Sequence, residues 1–124
     1  MLKEDTVKLL ADIGFMASSA GLSKHAFAIY SGIETARPDS ILPDIGFALE
    51  FMNRKKFQEA ISILEKQALK KSPDDPIATA FIGLALMMDG RNKESEDCLT
   101  KVEKSTGKEA VTMAKALLEK IRGK

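Results

Sequence analysis

From Phe57 onward the apolar residues Ala60, Ile61, Leu64 and Ala68 recur at three- and four-residue steps, so they share one face of a helix. The last stretch, "KEAVTMAKALLEKIRGK", reads the same way. Val111, Ala114, Leu117, Leu118 and Ile121 fall on one side, with Lys115, Glu119, Lys120 and Arg122 on the other. Asp5 or Thr6 is placed to cap a first helix, and Pro43 fits the first turn of another, where its missing N–H costs little. Gly90 and Gly107 stand where helices should stop. The pattern predicts an all-α protein.

The pattern also repeats. In "IGFMASSAGLSKHAFAIY", Gly14 is followed by Gly21, Ala26 and Tyr30; in "IGLALMMDGRNKESED" and beyond, Gly83 is followed by Gly90, Ser95 and Leu99. The intervals are seven, five and four residues in both. Between them Ala60 and Leu64 repeat the Ala26 and Tyr30 pair, 34 residues on, and Ser95 follows 35 residues later. The middle unit, "IGFALEFMNRKKFQEAI", allows two registers. Counting back from Ala60 puts Ala48 at the small-residue position, whereas the "IGFAL" echo puts Gly46 there. Ala60 is the better anchor, because "KKFQEAI" reads as a turn into a helix. The second half of this unit carries one extra residue before Pro73. Glycine inside a helix costs about 1 kcal/mol relative to alanine, so Gly14, Gly46 and Gly83 imply a gain from close packing.

A period near 34 with two amphipathic stretches per unit marks a helix–turn–helix array. These residues resemble the tetratricopeptide repeat, over roughly 5–107. The resemblance is degenerate: Leu10 and Thr79 stand where the family has an aromatic residue. It implies a single domain over 1–124 with units at about 5–38, 40–73 and 75–107, a capping helix at about 108–122, and a right-handed superhelix. In that family the first helix of each pair lines the concave face. Carried onto this chain, the face would hold Ala11, Phe15 and Ser18, then Leu42, Ile45, Leu49 and Met52, then Ile77, Ala80, Leu84, Met87 and Met88. The partner-binding set expected from this is Phe15, Leu42, Ile45, Leu49, Met52, Ile77, Leu84, Met87 and Met88. Such a face is apolar and rich in adaptable methionine, suited to an apolar helix or extended segment. The same residues would otherwise pack between helices in a tightly coiled array. Only Lys8 and Asn53 are available to hold a charged chain end.

Composition narrows the function. The 124 residues suffice for one small domain with a core. A net charge of +1 gives no electrostatic case for nucleic acid or an anionic membrane as partner. Cys98 is the only cysteine, which excludes an internal disulfide and favours a reducing compartment. Glu4, Asp5 and Asp12 interrupt the N-terminal apolar residues, unlike a signal peptide. A cytoplasmic location is expected.

No residue set suggests catalysis, a metal or a cofactor. His25 stands alone among polar neighbours, and Cys98 sits beside Asp97 with no base to activate it. Asp74 and Asp75, between Pro73 and Pro76, read as helix-capping chemistry, and Arg54 to Lys56 as a solvated basic turn. The expected protein is a binding module, not an enzyme. Its size and apolar face resemble the small tetratricopeptide chaperones of bacterial type III secretion, the YscG-like proteins that hold needle subunits and the related class that holds translocators. That resemblance implies a helical client in the concave groove and a second small co-chaperone bound elsewhere; the exposed apolar groove itself predicts self-association or marginal stability when the client is absent. The alternative is a general scaffold or adaptor subunit that assembles proteins or itself through the apolar face.

Overall fold

The computed structural model describes residues 3–123, and every regular element among them is helical. Helix α1 is Glu4–Ser19, α2 is Ser23–Ala36 and α3 is Leu42–Asn53. Helix α4 begins as Phe57–Ile63, passes through a wider π-helical turn at Leu64–Ala68 and closes at Leu69–Lys71. Helices α5, α6 and α7 are Pro76–Met88, Asn92–Glu103 and Lys108–Ile121. Each helix packs on the next in sequence. In addition α1 packs on α3, α5 packs on α7, and α3 touches α5.

Three turns are built alike. Those after α1, α3 and α5 each hold one left-handed residue: Gly21 at φ 79°, Lys55 at 62° and Gly90 at 80°. One residue later, the N–H groups of Leu22, Lys56 and Arg91 donate to the carbonyls of Ala17, Phe51 and Leu86 at 2.8, 2.8 and 2.9 Å. This is the six-to-one hydrogen bond that closes a helix on a left-handed residue. The recurrence settles the middle register. Lys55 lies seven residues after Ala48, as Gly21 does after Gly14 and Gly90 after Gly83, so Ala48 is the equivalent small residue.

Gly46 has a different task. The ring of Tyr30, fully buried in α2, lies between α1 and α3. A Cβ on Gly14 would sit 2.5 Å from that ring, and one on Gly46 would sit 2.4 Å from it. Gly14 is thus the contact within the α1–α2 pair and Gly46 the contact from the following helix. In the last pair, a Cβ on Gly83 would meet Leu99 at 2.5 Å, and the Ser95 hydroxyl donates to the Gly83 carbonyl at 2.6 Å. The expected gain from close packing at all three glycines is what the structure holds.

The extra residue before Pro73 is taken up by the π turn, which spends one more residue than an α turn. It rotates the end of α4 so that Lys71 Nζ donates to the buried Asp44 carboxylate at 2.9 Å and to the Ser40 carbonyl at 3.2 Å. Two boundaries differ from expectation. Helix α1 starts at Glu4 after Lys3, with no side-chain cap, so Asp5 and Thr6 lie inside it; Glu4 and Asp5 instead favour the positive end of its dipole. Gly107 does not stop α6, which ends at Glu103; it leads into α7 and lies against Pro76, where a Cβ would come within 2.9 Å. The largest core cluster joins α3, α4 and α5 through Ile45, Ala48, Met52, Ala60, Leu64, Ile82 and Leu86. A second joins Ala80 of α5 to Leu99, Val102, Ala110, Ala114 and Leu118.

Candidate functional site

A groove of about 720 Å³ is lined by α1, α3, α5 and the start of α7. Phe15, Leu42, Ile77, Phe81 and Met113, all half-buried, give it an apolar lining over a floor of the buried Ala11, Ile45 and Ala110. Lys8 and Asp12 of α1 border it, and so do Lys108 and Glu109 of α7. The helix periods account for the selection. Steps of four or three residues from Lys8 reach Asp12 and Phe15, from Ile77 reach Phe81, and from Ala110 reach Met113.

Of the nine expected binding residues, Phe15, Leu42 and Ile77 are brought together here with part-exposed side chains; Ile45 lies beneath them but, at 1% exposed, belongs to the core and presents almost nothing to a partner. Leu49 and Leu84 are half-buried against the largest core cluster, outside the groove lining. Met52, only 2% exposed, is part of that core and presents almost nothing to a partner. Met87 is half-buried and Met88 exposed at the far end of α5, next to the turn at Gly90. Ser18 is also buried, where its hydroxyl and that of Tyr30 lie 2.7 Å apart. Ala80 turns toward α6 and α7 instead of the groove.

Phe81 and the α7 pair Ala110 and Met113 were missed. The family spacing selected Ile77, Ala80 and Leu84, one residue out of phase with the Ile77–Phe81 face. The reason is α7, which packs on α5 and takes Ala80 into its own contact. Treating α7 only as a cap hid its inner side. The four-residue step from Ile77 to Phe81 was the available signal.

The other candidates are accounted for locally. Asp75 caps α5, its carboxylate accepting from the N–H groups of Ile77 and Ala78 at 3.0 and 3.1 Å. Arg54 lies 5.6 Å from the centre of the Phe27 ring, a cation–π contact, while Lys55 and Lys56 are exposed. His25 is exposed. Cys98 is half-buried, its thiol donating to the Thr79 carbonyl at 3.2 Å, and burial pushes its pKa up, the reverse of an activated nucleophile. No group of three metal-ligating side chains occurs among the described residues. Among them too, no helix is long and apolar enough to cross a membrane. The Tyr30 phenol is raised above its ordinary pKa, by burial first and then by the charge of Glu50, against the lowering effect of the Ser18 hydrogen bond. Glu50 is 1% exposed, and its Oε2 has no hydrogen-bond partner among the described residues.

No protein-family model matches the chain, and no curated protein matches it.

Proposed function

We propose that the chain is a protein-binding module whose groove holds one amphipathic helix of a client. In this reading the helices form three tetratricopeptide-like hairpins closed by α7 and coiled as a right-handed superhelix. The recurring turns at Gly21, Lys55 and Gly90 and the small residues Gly14, Ala48 and Gly83 support that arrangement. The observation that carries the function is the groove itself: five part-exposed apolar side chains from four helices, Phe15, Leu42, Ile77, Phe81 and Met113, flanked at both borders by a lysine and an acid. An apolar strip bordered by both charge signs suits a helix with apolar anchors three or four residues apart and mixed charge beside them. A cytoplasmic chaperone of the type III secretion kind, shielding a needle or translocator subunit, is the specific form of this proposal. The lone, half-buried thiol is compatible with a reducing compartment.

A photo-crosslinking residue placed at Phe81 tests the proposal in the native cell. The expected product is a single crosslinked species with a small helical protein, absent when the same residue is placed at Ser31 on the exposed side of α2. Products from Ser31 with none from Phe81 would put the binding surface elsewhere.

A further inference from the structure

The turn after α3 keeps a cation where its counterparts have glycine. Its left-handed residue is Lys55 at φ 62°, whereas the turns after α1 and α5 use Gly21 and Gly90. A side chain at positive φ is strained, and strain that persists at one position points to a use for the residue held there. Nothing inside the chain offsets it through charge: Lys55 is exposed and makes no ion pair among the described residues. Arg54 and Lys56 on either side of it, and Lys24 in the first turn of α2, are likewise exposed and without an ion pair among them. The four share one edge of the stack. The Arg54 guanidinium lies 5.6 Å from the centre of the Phe27 ring, so the second turn reaches the start of α2. Lys24 precedes Phe27 by three residues, on the same side of that helix. Residues 13–33 and 51–58 contain no acid; the acids flanking the second stretch are Glu50, which is buried, and Glu59, in the first turn of α4. Helices α2 and α4 both begin at this edge without a side-chain cap, so the positive ends of two dipoles add to it. The third turn differs. There Arg91 pairs with Asp89 and Glu94, and Lys93 with Asp97.

We infer that the edge formed by Lys24, Arg54, Lys55 and Lys56 docks an acidic peptide segment of a partner protein. It is separate from the groove, whose lining includes none of these residues. The charge calls for a polyanion, and the surroundings select peptide carboxylates. A guanidinium seated on an aromatic ring is a planar fork that fits a carboxylate with two parallel hydrogen bonds. Single-stranded nucleic acid is bound through bare aromatic faces on which bases stack. Here Phe27, Phe51 and Phe57 are all half-buried, and Arg54 lies over Phe27. A lipid surface would span all three turns, and the third would present Asp89 and Glu94 to it. The unpaired charge is confined to two turns, and packed helices lie about 8–10 Å apart. An extended chain covers that distance with roughly three or four residues, so a short acidic run suffices. The contact is solvent-exposed, so it is weak and sensitive to salt.

Fluorescence anisotropy of a peptide of about eight glutamates and one tryptophan tests this on the full chain, which has no tryptophan of its own. The expected result is saturable binding at low ionic strength that weakens as salt is added. Lys55→Gly should raise the dissociation constant about threefold and raise the thermal midpoint of the same protein, so that lost binding cannot be lost folding. Arg54→Ala with Lys56→Ala should raise the dissociation constant about tenfold. Lys115→Ala with Lys120→Ala, which removes as much charge from the exposed side of α7, should leave it unchanged. So should Phe81→Ala in the groove, which keeps this test apart from that of the client site. Failure of the peptide to bind at low salt would overturn the inference, as would equal weakening by the α7 pair or a loss on Phe81→Ala. A lowered thermal midpoint in Lys55→Gly would assign the lysine to the fold instead. Tighter binding of an oligouridylate of the same length, or of phosphatidylserine vesicles, would give the edge to nucleic acid or to a membrane and overturn it too.

Discussion

The two ends of the helix stack differ inside and out. At the start, Tyr30 lies between Gly14 of α1 and Gly46 of α3, a rigid ring held from both sides, and α1 carries an apolar stripe outward. At the finish, Gly83 meets the flexible Leu99 from one side only, and α7 turns lysines and glutamates to solvent. Yet the underlying scaffold is one: the same seven-residue step from small residue to left-handed turn, and the same closing hydrogen bond. A common backbone scheme thus carries two different outer faces, polar on α7 and, on α1, interrupted by the exposed Leu9, Ile13 and Met16. End helices of stacked repeats need a polar outer face to remain soluble alone. Helix α7 has one, whereas on α1 the exposed Glu4, Asp5, Lys8 and Asp12 share the surface with Leu9, Ile13 and Met16.

The largest expected effect contrasts the two glycine contacts. Gly46→Ala should destabilise by about 3 kcal/mol, because the new methyl group meets a ring that has no free space on its other side. Gly83→Ala should cost less, about 2 kcal/mol: the fully buried Leu99 must shift at its Cγ as well as at a methyl, but an alkyl chain bends where a ring cannot, and alanine favours the helix. Chemical denaturation of both variants checks the difference; equal losses would remove the distinction between ring and leucine.

Next in size is the turn that breaks the rule. Lys55 holds a left-handed conformation that its two counterparts assign to glycine. Lys55→Gly should stabilise by about 1 kcal/mol, since the strain of a side chain at positive φ is lost. A destabilised variant would mean that the lysine makes a favourable contact outweighing the strain.

Tyr30 gives a pH effect confined to the first half. Its folded pKa is raised, so the unfolded chain gives up the phenolic proton first. The stability linked to this group is therefore complete below about pH 10 and falls as pH rises beyond it. As the only tyrosine, with no tryptophan present, it can be followed by absorbance at 295 nm. Tyr30→Phe should abolish the alkaline loss while costing about 1 kcal/mol at neutral pH for the Ser18 hydrogen bond. Alkaline unfolding at the same pH in both proteins would assign it to other groups.

How much of this was legible beforehand follows from the kinds of residue involved. Turns and small contacts were readable because glycine at Gly14, Gly21, Gly83 and Gly90 marks backbone geometry directly. The middle unit was ambiguous because two glycine functions differ there: Lys55 takes the left-handed turn without glycine, and Gly46 serves the preceding tyrosine. The additional residue before Pro73 was countable, but nothing in the sequence says that a π turn absorbs it and delivers Lys71 to Asp44. The groove was half legible. Phe15, Leu42, Ile45 and Ile77 follow from helix order, whereas Phe81, Ala110 and Met113 depend on how α7 docks, a tertiary fact. Likewise Met52 fits the expected face by period and is buried because α4 covers it.

The smallest effects on stability belong to the outer faces. Leu9→Glu with Met16→Glu should change folding stability by no more than about 0.5 kcal/mol, as exposed positions usually do. Conversely, Lys115→Leu with Glu119→Leu on α7 should leave the fold intact and create concentration-dependent association at the finishing end. Light scattering of the paired variants reads both.

The central claim is that the groove, and not either end face, receives the client. The direct measurement is the affinity of the helix identified by crosslinking at Phe81 for three purified proteins: the wild type, Phe81→Asp, and Leu9→Glu with Met16→Glu. Phe81→Asp should weaken binding by about 2 kcal/mol or more, roughly thirtyfold, while the stripe variant binds as the wild type does. Affinity unchanged by Phe81→Asp in a folded protein, or lost only when the α1 stripe is altered, would contradict the account.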